Sequence, residues 1–192
     1  KPNYEIKTVP YEPENPLLKF MKKYALEMPN HKEAKELKDE ISSKGFYLIE
    51  TVGIHSFKTY LRNLLAKVGS HDVKRVAGQM IEVAEGSHET ITKRVEKLLK
   101  VLKEHLDNNQ ASQAIVLTER RVTAWYLSLI INYMSLPNIK SKAVIGKNNR
   151  EKLNTFAMES NYYQKAIEDF RKKKYNLLVS TTVIEEGIDI LS

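Results

Sequence analysis

Residues 176 to 190 read N-L-L-V-S-T-T-V-I-E-E-G-I-D-I. The run from Asn176 to Ser180 is short, apolar and bounded by polar residues, which predicts a strand buried on both faces. Two similar runs stand upstream, at Ala114 to Leu117 and at Lys142 to Ile145. Between the first two, Val122, Trp125, Tyr126, Leu129, Ile130 and Tyr133 recur at helical spacing. Between the second and third, Leu153, Phe156, Ala157, Tyr163, Ala166, Ile167 and Phe170 predict a long helix with a break near Ser160. The order β-α-β-α-β is that of a parallel sheet with helical crossovers. Ligands of such sheets bind beyond the carboxyl ends of the strands, so the residues just after Leu117, Ile145 and Ser180 are where chemistry is expected.

Upstream the texture is different. Pro2, Pro10, Pro13 and Pro16 disfavour a helix before Leu17, so residues 1 to 16 read as an extended linker. Helical periodicity then carries Phe57, Tyr60, Leu61, Leu64, Leu65 and Val68, and again Val73, Val76, Ala77, Met80, Ile81 and Ala84. Ile91, Val95, Leu98, Leu99, Leu102 and Leu106 form a third stripe with lysines around it, and core packing accounts for it.

Of 192 residues, 42% are hydrophobic, enough for a real core. Lys and Arg total 31 against 24 Asp and Glu, a net +7, shared as +3 over residues 1–110 and +4 over 111–192. Neither half is a polybasic tail, so a surface for a phosphate-rich partner must be made by folding. No cysteine is present, which excludes disulfides, thiolate metal sites and a cysteine nucleophile and fits a reducing, cytoplasmic setting. The longest apolar stretch, Trp125 to Met134, falls well short of the about 20 residues that cross a bilayer, and no membrane partner is expected. His31, His55, His71, His88 and His105 have no zinc spacing, and Gly146-Lys147 lacks the glycine and hydroxyl of a phosphate loop. No complete catalytic constellation and no metal site are predicted.

The stretch from Ser180 to Ile190 carries the chemistry that remains. Hydroxyls and backbone amides at Thr181 and Thr182 suit nucleic-acid phosphates, Gly187 permits a tight turn, and Asp189 can accept from ribose hydroxyls. An ordinary polar strand-to-loop junction would use the same residue types. The T-T-V-I-E-E-G-I-D form resembles motif V of superfamily 2 helicases, in the version found in Dicer and the RNA sensors related to it. A-I-V-L-T-E-R-R-V-T-A, residues 114 to 124, is similar to motif IV of the second RecA-like domain of that group. I-G-K-N-N-R, residues 145 to 150, Gln164 and the D-F-R-K-K-K-Y run that leads into the last strand resemble the same region in order and spacing.

This resemblance implies an α/β fold: a partial RecA-like parallel sheet domain with a preceding all-helical insertion domain. It implies a linker over 1–16 from a first RecA-like domain, a helical insertion over 17–110, and part of the second RecA-like domain, motifs IV to V, over 111–192. It further implies RNA contacts at Arg120, Lys147, Gln164, Thr181 and Thr182, and coupling of ATP binding to RNA binding at Gly187 and Asp189. A guanidinium suits phosphate at Arg120, whereas exposed Lys and Gln are also common as plain surface residues. The cofactors implied are ATP and Mg²⁺, held jointly with the first RecA-like domain, so this stretch alone is expected not to hydrolyse ATP. The partner implied is double-stranded RNA, with a double-stranded-RNA-binding protein on the helical insertion as a second one. The parent activity implied is that of a Dicer-type, ATP-dependent endoribonuclease of RNA interference. An RNA-sensing ATPase of the same branch, and a helical protein-docking module, are the rival readings.

Overall fold

Three parallel strands set the positions of Arg120 and Thr181. The computed structural model describes residues 15–107, 112–145 and 162–181. β1 (Ala114–Thr118), β2 (Ser141–Val144) and β3 (Leu177–Thr181) form one sheet in the order β1-β3-β2. Ala114 is in register with Leu177 and Thr118 with Thr181 on one side of β3, and Ser141 with Leu177 and Val144 with Ser180 on the other. β3 is central, and all five of its residues are buried, as its unbroken apolar run predicts. The three strands observed lie within one residue of those expected at each end.

The chain leaves β1 into α7 (Arg121–Tyr133) and reaches β3 from α8 (Tyr162–Arg171). The strand pleat shows which helix covers which face. Val144 and Leu178 cluster with Ala166, Ile167 and Phe170 of α8. Ser141, whose side chain points the other way, bonds to Ser128 of α7 at 2.8 Å, and Asn132 of α7 bonds both the amide and the carbonyl of Ser141. One helix therefore lies on each face. The residues of β1 that point to the α8 face, Ile115 and Leu117, stay exposed because α8 sits towards β2.

The apolar face expected of α7 is only partly the one observed. Val122, Tyr126 and Ile130 are buried, but Leu129 is 41% and Tyr133 67% exposed, and Leu127 and Ile131 take their place in the core. Leu, Ile and Tyr occur on both sides of this helix, so periodicity alone does not fix its rotation.

The chain divides into two compact units. The first unit, over the described residues 15–93, is helical: α1 (Pro16–Leu26), α2 (Lys32–Glu40), a π turn (Ile41–Gly45), α3 (Phe46–Thr51), α4 (Ile54–Leu65) and α5 (His71–Glu85). Asn15 caps α1 through its side chain, with Pro16 at the first helical position, where its missing N–H is not needed. Leu18, Met21, Leu37, Ile49, Phe57, Tyr60, Leu64 and Met80 are among its buried side chains. Here α3 meets α4 at Gly53, and the loop before residue 93 pairs with that junction: the amide of His55 donates to the carbonyl of Thr90 and that of Thr92 to the carbonyl of Val52. α6 (Lys93–Asp107) falls from Arg94 onward with the sheet in the second unit, although its periodicity continues the helical texture of the residues before it.

Candidate nucleic-acid interface

The carboxyl edge of the sheet is assembled from the ends of all three strands. Thr118 closes β1, and its hydroxyl donates to the carbonyl of Ser180 at 3.2 Å and to that of Arg120 at 3.1 Å. The Ser180 hydroxyl in turn donates to the carbonyl of Val144 at 2.5 Å. A chain of side-chain bonds thus ties β1 to β3 and β3 to β2 where the strands end, and it fixes the take-off of the loop that carries Arg120.

Arg120 is extended, with φ −122° and ψ 146°, and is the N-cap of α7. It is exposed at the strand end, where the motif IV resemblance puts a phosphate contact. Arg120 makes no side-chain cap to this helix, and the positive end of the α7 dipole opens at the carboxyl edge, at the residue that carries the guanidinium. Within the first turn the Thr123 hydroxyl is buried and has no hydrogen-bond partner. An uncapped helix N-terminus with an arginine beside it is suited to bind an anion. Thr118 and Thr123 were not singled out by sequence reasoning. Both lie inside the motif IV stretch, and their positions at a strand end and in a first helical turn were the available signals.

Thr181 pairs with Thr118 as the last residue of β3, at the edge expected of it. Its side chain points to the same face as Leu177 and Val179, the face covered by α7, and it is only 6% exposed. Gln164 is exposed in the first turn of α8, next to Lys165. Arg120 and Thr181 are therefore brought to one edge, whereas Gln164 stands on the outer surface of α8. Lys147, Thr182, Gly187 and Asp189 lie outside the described residues. Among the described residues no group of three or more His, Cys, Asp or Glu side chains could hold a metal ion.

Tyr162 stabilises the β2 side of the sheet. Its hydroxyl donates to the carbonyl of Ala143 at 2.8 Å, its ring lies 5.9 Å from that of Trp125, and Lys142 sits over it at 4.6 Å. Burial, with the neighbouring Tyr175, pushes its phenol up to about 12. It is an uncharged donor at any physiological pH.

The sequence profile described as the helicase conserved C-terminal domain matches residues 93–192. The chain belongs to that family. The match begins where α6 begins, which agrees with the grouping of α6 with the sheet. Within the helicase family, Dicer of Schizosaccharomyces pombe is 34% identical over 102 residues, 53% of this chain and 7% of that protein. The Dicer homolog 1 of Arabidopsis thaliana is 35% identical over 123 residues, 64% of this chain and 6% of that one. MJ1505 of Methanocaldococcus jannaschii, named for RNA-helicase activity, is 32% identical over 152 residues, 76% of this chain and 18% of its own. That match is longer than the stretch 93–192, so it reaches into the helical unit. Among solved structures, the Hef helicase domain of Pyrococcus furiosus covers 91% of this chain and 36% of its own at 22% identity, with a TM-score of 0.47. The helicase chain thus spans less than a tenth of the length of the Dicer proteins it matches and less than a fifth of the archaeal one. Its parallel strands, with a helix on each face, lie within the stretch matched as the helicase conserved C-terminal domain.

Proposed function

We propose that this chain is the double-stranded-RNA-binding, ATP-coupled helicase region of a Dicer-type endoribonuclease. The observation that carries the reading is the carboxyl edge: an exposed arginine, an uncapped helix N-terminus and the end of β3 converge beyond the strand ends. In a helicase-family chain similar to Dicer proteins, the anion that suits this edge is the RNA backbone. Duplex RNA hides its base edges in a deep, narrow major groove, so contact runs through phosphates and 2′-hydroxyls without regard to sequence. Arg120 acts on phosphate, Thr181 and Thr182 align the strand end with the backbone, and Lys147 and Gln164 extend the contact. Gly187 and Asp189 form this chain's side of an ATP–Mg²⁺ site completed by a first RecA-like domain, and the setting is the cytoplasm. The second reading is an RNA-sensing ATPase of the same helicase branch; the archaeal relative, which matches 76% of this chain, is named only as an ATP-dependent RNA helicase.

Titrating the 192-residue chain with blunt duplex RNA over a series of KCl concentrations tests the reading. Binding should weaken linearly in log-log form, with a slope near −0.9 per phosphate neutralised as a rough guide. A response flat in salt would remove phosphate contact as the basis of binding.

A further inference from the structure

The edge of the sheet opposite Arg120 and Thr181 carries a second concentration of positive charge. Arg171, Lys172, Lys173 and Lys174 follow one another at the end of α8 and lead into β3, while Lys140 leads into β2. Because the strands are parallel, these residues share the amino edge. Among the described residues, Glu168 and Asp169 of α8 act on Lys174. Lys174 bonds Asp169 at 2.6 Å, and Lys165 and Lys172 also act on that carboxylate, which sits below its usual range chiefly because of Lys174. Lys140 and Lys173 have no acidic partner among the described residues and are exposed.

The loops that present these cations are locked. Asn176 accepts from the amide of Lys140 at 2.9 Å through its side-chain oxygen and donates its side-chain amide to the carbonyl of Asn138. Gln113 donates to the carbonyls of Phe170 and Tyr175, tying the approach to β1 into the same cluster. Every non-glycine residue with positive φ among the described residues lies here: Ser135, Asn138 and Lys173. Lys173 is the left-handed residue after α8, with its amide bonded to the carbonyl of Phe170, a position where glycine is the unstrained choice. Cations at a helix C-terminus complement its dipole, which accounts for part of the run. It does not account for Lys140, which stands on a different loop, nor for a lysine where glycine would fit.

We propose that this amino edge, centred on Lys140, Lys172 and Lys173, is a second contact for nucleic-acid phosphates, separate from the carboxyl edge. RNA fits better than an acidic protein segment. Protein partners are held chiefly by aromatic and apolar anchors in pockets. The groove along α8 is lined by Gln164, Lys165, Glu168, Asp169, Lys172 and Lys174, with no apolar side chain. Lysine ammonium groups take phosphates without demanding one geometry, which suits a backbone read without regard to sequence.

The inference rests on the reading that the chain binds RNA, and the test separates the two. Duplex RNA binding is followed by fluorescence anisotropy over a KCl series for the chain, for the triple variant Lys140→Gln/Lys172→Gln/Lys173→Gln, for the matching triple change to Arg, and for Arg120→Ala. The Gln variant should bind about tenfold or more weakly, with a salt slope smaller by about 2 to 3, and the Arg variant should retain both. Lys173→Gly should raise thermal stability and yet weaken RNA binding, which a lysine kept only for helix capping would not do. Wild-type affinity and slope in the Gln variant, with Arg120→Ala impaired, would overturn this proposal and leave the carboxyl edge standing. Loss of poly-glutamate binding with RNA binding intact would assign the edge to an acidic protein partner and overturn it equally. An unmodified chain that binds no RNA would sink both readings together.

Discussion

At the scale of single residues, the proposed RNA contact at the carboxyl edge divides between charge at Arg120 and position at Thr181. Arg120 is exposed and is the N-cap of α7, so the contribution proposed for it is electrostatic. Replacing it with alanine should weaken RNA binding to all sequences alike and reduce the salt slope by about 1, measured by the same anisotropy titration. Thr181 is covered, and the half-buried neighbour that bonds across to its strand is Thr118. A residue of the helical unit makes a different kind of prediction. The Glu33 carboxylate accepts the amides of Gly69 at 2.7 Å and Ser70 at 2.8 Å, just before α5, and those two bonds hold its pKa below the usual carboxylate range. With the folded value depressed, its stabilising contribution is full above the unfolded value and is lost as pH falls through the folded one. Glu33→Gln should therefore lower Tm at neutral pH, and the gap to the unmodified chain should close as pH falls through the acidic range. A gap that does not change with pH would remove the ionised carboxylate as the cause.

At the scale of elements, one glycine and one helix show what sequence can and cannot fix. Gly53 has φ 132°, and a Cβ there would lie 2.6 Å from the Cα of Ile91 and 2.7 Å from the carbonyl oxygen of Thr90. Gly53→Ala should destabilise the helical unit by about 2 kcal/mol or more, read from urea unfolding, since both backbone conformation and space are against it. Nothing in the local sequence marks this glycine, because its constraint comes from residues nearly forty positions away. The strands were legible for the opposite reason: unbroken apolar runs such as Leu177 to Val179 satisfy a two-faced burial that few other elements require. The rotation of α7 was not legible, because Leu129 and Tyr133 keep the helical period and still face outward. The helices before residue 54 left no stripe that periodicity isolates, for α2 and α3 are short and joined through a π turn that shifts the phase between them. The placement of Arg120 and the end of β3 at the carboxyl edge was predictable because the strands that precede them were legible, and that edge is where a parallel sheet ordinarily carries its chemistry. The pairing of Thr118 with both Arg120 and Ser180 was not, since it depends on register.

For the whole molecule, a helical unit and a unit built on a parallel sheet lie on one basic chain whose excess charge is spread almost evenly along the sequence. Folding gathers part of that charge at the two ends of a three-stranded sheet. The carboxyl edge is the one to which the proposed RNA contact is assigned. Hydrogen–deuterium exchange of the 192-residue chain with and without duplex RNA tests that assignment directly. The amides from Thr118 to Ala124, where the first turn of α7 opens without a cap, should be protected when RNA is bound. Duplex RNA that binds while leaving those amides exchanging at their free rate would contradict the account.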